Sequence, residues 1–347
     1  MSSHPTCQTH RSGQSGFAAD HVCGRGSAPR ASEHMLTVLF ATRNRADILR
    51  SVLLSYCSLE EPVGGWQLLV VDNDSDDRTP HVLEEFRNRL PLKCVIERNL
   101  GKNHALNSGL GHIAGDLVVF TDDDVFPRYD WLKRVRAAAD DHPGYNLFGG
   151  LILPRWEVPP PKWIEERVPL AVTYALNGRI ATGEGPTPGN AIFGANMAVR
   201  GAVFAKGVRF DPGIGPRGEN YPMGSETELI RRLLRTGDSA WFAANAVVEH
   251  LIRRHQLSRR WILQRAIRFG RGQWRLQSET ESHSGAAMWG PTPRYLYRCL
   301  LGAAGRSVSA ACTFNSGALF RAQWDFEFQR GRIIESRRMR AEPPAGK

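Results

Sequence analysis

From Leu36 onward the chain alternates two hydrophobic rhythms. Leu36-Thr-Val-Leu-Phe-Ala41 is a short β-rich run closed by the polar stretch Thr42-Arg-Asn-Arg45, and Ile48, Leu49, Val52, Leu53 and Tyr56 then recur at helical spacing. The cycle repeats. Gln67-Leu-Leu-Val-Val71 predicts a second strand ending in Asp72-Asn-Asp-Ser-Asp-Asp77, and Val82, Leu83, Phe86 and Leu90 mark a second helix. Lys93-Cys-Val-Ile-Glu97 predicts a third strand, which leads through Asn99-Leu-Gly-Lys-Asn-His104 into a helix carrying Ala105, Leu106 and Leu110. The fourth run, Asp116-Leu-Val-Val-Phe-Thr-Asp-Asp-Asp-Val125, is too short for a helix of its own and reads as a buried strand delivering three acids to its carboxyl end. Strands separated by helices of this length predict an α/β fold with a mostly parallel sheet and right-handed crossovers.

Downstream the pattern loosens. Trp131 to His142 predicts a helix and Asn146 to Leu153 a strand, and the five prolines between Pro154 and Pro169 predict a loop carrying Trp156 and Trp163, which either stack on a ligand or pack into the core. Residues 186–224 mix turn residues with short apolar pieces. There Gly213-Ile-Gly-Pro-Arg-Gly218 has the letters of a dinucleotide-binding loop without its setting, since no strand feeds it, no periodic helix opens from it, and Pro216 has no N–H to give a phosphate. Leu229, Leu233 and Leu234 define a helix closed by Gly237, with Glu226 and Glu228 in or just before its first turn. A strand from Ala240 to Val248 and His250 follow. From Leu251 to Ser278 arginines interleave with Trp261, Ile262, Ile267, Phe269 and Trp274 and no acid occurs, the profile of a basic amphipathic helix for an anionic membrane or of a solvated basic face. A helical tail from about residue 291 packs on the main domain or on a membrane surface, and its last ten or so residues are expected to fray.

Composition narrows this picture modestly. A chain of 347 residues with 41% hydrophobic content can bury a large core, and a net charge of +10 draws polyanions without choosing among nucleic acid, membrane and phosphorylated small molecules. No nucleic-acid motif accompanies the charge, so a nucleic-acid partner is not expected. Six scattered cysteines and the lack of an apolar leader predict reduced thiols and a cytoplasmic location, and no apolar run reaches a membrane-spanning length. Residues 1–34 are rich in Ser, Gly, Arg and His and are expected to be disordered; Met35 is a candidate natural start, and Cys7, His10, His21 and Cys23 lack the paired spacing of a zinc site. Three parts are therefore expected: an extension over 1–34, a catalytic domain over 35–250 and a basic helical region over 251–347.

The chemistry concentrates at strand ends, the ligand-binding edge of an open α/β sheet. In extended backbone Asp122 and Asp124 share a face while Asp123 points elsewhere, so the pair can hold a hard divalent cation; equally, such acids can cap a turn. Glu226 and Glu228 read either as helix-dipole partners or as a general base. His250, a lone histidine after a strand, reads by itself as structural.

In their order these motifs resemble the inverting glycosyltransferases of family 2, with the nucleotide-sugar-binding fold called GT-A, over about residues 35–255. Thr42-Arg-Asn-Arg45 resembles the family's opening loop, Val71-Asp-Asn-Asp-Ser75 its nucleotide-contacting loop, and Asn99-Leu-Gly with Asn107-Ser-Gly109 its donor-side helix start. Thr121-Asp-Asp-Asp-Val125 stands where the family carries its Asp-x-Asp motif. The resemblance implies donor-binding roles for Thr42, Arg43, Arg45, Asp72, Asn73, Asp74, Lys102, Asn107, Asp122 and Asp123. It implies a Mn2+ or Mg2+ site at Asp124 with Asp122 and His250, and a catalytic base at Glu226, with Glu228 the fallback because Ser225 stands where the family often has an acid. The Gln-x-x-Arg-Trp motif of processive polysaccharide synthases is absent, since Gln256-Leu-Ser-Arg-Arg-Trp261 has one residue too many, which favours transfer of a single sugar. The implied partners are a nucleotide-diphosphate sugar and a saccharide or lipid-linked acceptor, with peripheral contact to the inner face of the cytoplasmic membrane. A metal-dependent nucleotidyltransferase and a non-catalytic membrane- or nucleic-acid-binding module are the alternative readings; the first expects a glycine- and lysine-rich phosphate loop, which Thr42-Arg-Asn-Arg45 does not supply.

Overall fold

Alternation along the first strands sets the layers. In β1 (Leu36–Thr42) and β2 (Trp66–Asp72), Val38, Phe40, Leu68 and Val70 project to one face of the sheet, and Leu39, Leu69 and Val71 project to the other. The first face is covered by α1 (Ala46–Tyr56) and α2 (Thr79–Phe86). After β3 (Leu92–Ile96), α3 (Lys102–Leu110) covers the second, close enough that a Cβ on Gly109 would stand 2.6 Å from Leu39. The computed structural model describes residues 34–178, 180, 183–218, 220–278 and 287–341. The expected N-terminal disorder, apart from His34, and the four candidate zinc ligands lie outside the described residues.

The parallel half is as expected: β1 pairs in parallel with β2 and with β4 (Leu117–Phe120), and β2 pairs with β3. One detail differs. The fourth strand ends at Phe120, so the three acids sit in a turn before β5 (Val125–Pro127), and the face-sharing rule of extended chain does not govern them. Helix α4 (Trp131–Asp141) leads to β6 (Leu147–Trp156), which runs past Pro154 beside the long strand β9 (Ala240–Ile252). The proline-rich segment is more ordered than a loop, with α5 (Lys162–Arg167) and α6 (Leu170–Tyr174); Trp163 packs on Phe320 with ring centroids 5.4 Å apart and Trp156 on Tyr174 at 5.8 Å, so both tryptophans serve packing.

Three antiparallel additions complete the sheet. β7 (Gly185–Thr187) pairs with the start of β9, β5 pairs with its end, and β8 (Met197–Arg200) lies between β4 and β6, giving the order β3-β2-β1-β4-β8-β6-β9-β5. Helices α7 (Gly201–Ala205) and α8 (Ser225–Arg235) follow β8. The basic segment forms α9 (Arg259–Ser278), the hairpin β10 (Met288–Trp289) and β11 (Thr292–Pro293) follows, and α10 (Arg294–Cys312) and α11 (Ser316–Ala341) end the described chain. The tail stays helical to Ala341, further than its expected fraying.

Helix α9 is covered by α11. A Cβ on Gly270 would stand 2.0 Å from the Phe328 carbonyl and one on Gly331 2.1 Å from the Ile267 carbonyl, so each glycine admits the other helix's backbone. Beside this crossing Arg271 and Arg275 both bind the fully buried Glu335. Part of the basic face that reads as membrane-binding is thus neutralised inside the protein. No helix among the described residues is long and apolar enough to cross a membrane.

Candidate active site

Strand ends β1, β2 and β4, the start of α3, the start of α8 and the end of β9 converge on one cavity of about 560 Å³. Thr42, Arg43, Arg45, Asn73, Lys102, Asp122, Asp123, Asp124, Glu226 and His250 all line it. The three consecutive aspartates take three different partners. Asp122 Oδ1 accepts from Lys102 Nζ at 2.6 Å; Asp123 accepts from the Thr42 hydroxyl at 2.8 Å and faces Arg45 at 3.6 Å; Asp124 lies 3.2 Å from His250 Nε2. Among the described residues no group of three or more His, Cys, Asp or Glu side chains is arranged to hold a metal. Of the three expected metal ligands, Asp124 and His250 are adjacent, while Asp122 is tied to Lys102.

Burial and charge separate the acids. Burial raises the Asp123 pKa above the carboxylate range and outweighs the opposing pull of Arg45, with the repulsion of Asp124 adding to the rise. Burial acts on Asp124 in the same direction, but the charge and hydrogen bond of His250, joined by Arg45 and Arg253, together outweigh it and hold that carboxyl low, while Asp124 in turn raises His250 against the effect of burial. The His250 ring is oriented from its other side by the Tyr174 carbonyl, 2.6 Å from Nδ1. Lys102 is raised in spite of its burial because two carboxylates, Asp122 and Glu226, surround it.

Glu226 Oε1 lies 2.7 Å from Lys102 Nζ, so one ammonium bridges the turn after β4 and the first turn of α8. Gly194 makes room for that carboxylate, since a Cβ there would stand 2.4 Å from the Glu226 carboxyl carbon. The Gly194–Asn196 turn is itself fixed: Thr121 donates to the Ala195 carbonyl, and the Asn196 side chain binds the Leu151 and Ala246 carbonyls and the Trp131 indole. The chain enters α8 through Gly224 at φ 114, a left-handed conformation suited to glycine. Asn103 anchors this approach by donating to the Asp211 and Ile214 carbonyls and accepting from the Ser225 hydroxyl.

Four expected residues stay out of the cavity. Glu228 is chelated by Arg232 at 2.8 and 3.0 Å, because a step of two along a helix turns a side chain by about 200°. Asp72 accepts from the Ser75 backbone and hydroxyl, Asp74 is exposed at φ 59, and Asn107 makes a two-way clasp on the Phe210 backbone. Other lining residues escaped the sequence reading: Gly194, Gly215, Arg217 and Tyr221 from the turn-rich region, and Trp261, Arg265 and Arg268 from α9. A small-residue turn beside an acid-bearing helix start was the available signal for Gly194.

Comparison with known proteins places this geometry. The profile described as "Glycosyl transferase family 2" matches residues 37–203. A β-monoglucosyldiacylglycerol synthase from Synechocystis is 31% identical over 114 residues, which is 32% of this chain and 24% of that protein. An undecaprenyl-phosphate 4-deoxy-4-formamido-L-arabinose transferase from Edwardsiella ictaluri is 30% identical over 118 residues, 33% of this chain and 36% of that one. The aligned parts thus span a quarter to about a third of these relatives' own length. Among solved structures, mannosyltransferase PcManGT from Pyrobaculum calidifontis, in complex with GDP-Man and Mn2+, superposes with a TM-score of 0.56 at 20% identity, covering 87% of this chain and 86% of that one. S. aureus TarS 1–349 does so at 0.51 and 14% identity, covering 90% and 93%. Residues 37–203 thus match the glycosyltransferase family 2 model, and the described chain has the GT-A fold.

Proposed function

We propose that the protein transfers one sugar, with inversion at the anomeric carbon, from a nucleotide-diphosphate sugar to an acceptor hydroxyl. The carrying observation is the meeting of Asp122, Asp124–His250 and Glu226 in one cavity, with Lys102 spanning the donor-side acid and the helix-start acid. A carboxylate beside an imidazole is a donor pair that suits a divalent ion such as Mn2+, and the remaining positions are open to diphosphate oxygens. Asp124 and His250 would hold such an ion, with Asp122 facing the nucleotide ribose. Bound there, it supplies neutralisation of charge on the leaving diphosphate. The Mn2+ in the mannosyltransferase complex supports this choice.

The chain's own groups divide the remaining work. Thr42 and Asn73 border the nucleotide side, and Arg45, held by Asp123, adds positive charge beside the diphosphate. Glu226 takes the acceptor hydroxyl proton as that oxygen bonds to the anomeric carbon and the sugar–diphosphate bond breaks, its electron pair leaving with the nucleoside diphosphate. Lys102 fixes the Glu226 carboxylate in place until substrate arrives. The lipid words in the names of both curated relatives favour a saccharide or lipid-linked acceptor near a membrane. A hydrolysis screen of UDP-, GDP- and dTDP-sugars with Mn2+ tests the reading: release of sugar from at least one donor, lost on chelation, is expected, and no metal-dependent release from any donor contradicts it.

A further inference from the structure

Beyond the acids, the cavity has a wall made by α9. Trp261 stacks on Tyr174 with centroids 5.8 Å apart and planes 9° from parallel, and the Arg265 guanidinium lies over the Trp261 ring at 5.4 Å. Arg265 Nη1 donates to the Tyr221 hydroxyl at 3.3 Å. Its Nε is buried with no hydrogen-bond partner, and among the described residues no carboxylate forms an ion pair with it. A buried, unsatisfied N–H on a permanently charged group is costly to leave unpaired, and Arg265 carries that uncompensated charge on the cavity wall.

The position of this charge assigns it. Arg45, Lys102 and His250 on the donor side already face Asp123, Asp122 and Asp124. Arg265 stands instead against Tyr221, five residues before Glu226 on the segment that enters α8, and that segment is strapped to α9 by the Met223 N–H donating to the Arg268 carbonyl at 3.0 Å. A Cβ on Gly272 would stand 1.6 Å from the Met223 carbonyl, which shows how tightly the strap lies. Glu226 marks where the acceptor hydroxyl must sit, so a group held by the neighbouring α9 wall belongs to the acceptor. We infer that this wall is an acceptor subsite for a phosphate-bearing molecule, in which Arg265 takes the phosphate while Tyr221 and the Trp261 ring hold its guanidinium in place. This inference rests on the proposed glycosyl transfer and names the chemical class of its acceptor. The phosphate can come from a soluble sugar phosphate or from a lipid phosphate headgroup.

Calorimetry separates these cases. The nucleotide diphosphate that binds the wild-type protein with Mn2+, among UDP, GDP and dTDP, is first used to saturate the donor side. Glucose 6-phosphate and glucose are then titrated, and in a second arm phosphatidylcholine vesicles with and without polyprenyl monophosphate. Binding of one phosphate-bearing probe at least tenfold tighter than its neutral counterpart is expected, and the arm that shows it identifies the source. Arg265→Gln should remove that preference while nucleotide affinity stays within twofold, and Tyr221→Phe should weaken it by about threefold, a milder change that covers the case in which Arg265→Gln fails to fold. Equal binding of charged and neutral probes overturns the inference, as does a loss of nucleotide affinity in Arg265→Gln as large as the loss of phosphate affinity. If no nucleotide binds the wild-type protein, the donor reading fails by itself, and the phosphate-versus-neutral titration without nucleotide still decides the subsite.

Discussion

The two walls of the cavity are built differently. Apart from His250 at the end of β9, the donor wall comes from the ends of β1, β2 and β4 and the start of α3, within residues 42–124, where each loop follows its strand in order. The opposite wall gathers Gly194, the segment from Gly215 to Glu226 and α9 from distant parts of the chain, and side-chain clasps such as Asn103 on the 211–214 loop hold it. The donor wall inherits its geometry from the parallel sheet, so it is rigid and repeats a general rule of α/β folds. Apart from the Gly194–Asn196 turn, which runs into β8, the opposite wall is held by side-chain clasps and helix packing rather than by the register of the parallel strands.

Substitutions can sharpen this contrast. The largest effect is expected in Glu226→Gln, with kcat falling by about 10²–10⁴ and the donor's Kd unchanged, whereas Glu228→Gln should keep kcat and lose about 1–3 kcal/mol of stability with its Arg232 partner. Steady-state kinetics and thermal unfolding of the two variants separate the acids, and equal kinetic damage in both would break the assignment. Asp124→Asn should cost on the order of 10²–10³ in transfer, and excess Mn2+ should restore part of it, as a metal titration of activity would reveal. On the covering helices Glu335→Gln leaves Arg271 buried against α11 without its carboxylate and should cost about 3–5 kcal/mol in denaturant unfolding while leaving nucleotide binding intact. The smallest effect is expected in Gly194→Ala, where the new methyl displaces the Glu226 carboxylate; kcat should fall by about tenfold with the donor KM and the melting temperature nearly unchanged.

Much of the donor wall was legible because local pattern decides it. Apolar runs of four to seven residues fixed the strands, and the polar loops after them delivered Thr42, Asn73 and the three aspartates to the cavity. Strand alternation misjudged the aspartates, since the chain leaves the strand after Phe120 and each acid then follows its own partner. The two glutamates were separable in principle: Glu228 has Arg232 four residues on, a helical ion-pair spacing, while Glu226 has Ile230 there. Asn107 and Asp72 stand at donor-contact positions of the family pattern and have local partners in the fold, one clasping Phe210 and the other closing the turn at Ser75. One partner of the basic helix was out of reach for a different reason. Its neutralising partner, Glu335, lies sixty residues beyond Arg275, a distance no local pattern bridges.

The division of labour between the walls meets its most direct test in one calorimetric measurement. The nucleotide sugar found in the hydrolysis screen is titrated into wild-type protein and Glu226→Gln, each with and without Mn2+. The account predicts metal-dependent binding of equal strength, within about twofold, in both proteins, with sugar transfer lost in the variant. Binding that ignores the metal, or transfer by Glu226→Gln at the wild-type rate, would contradict it.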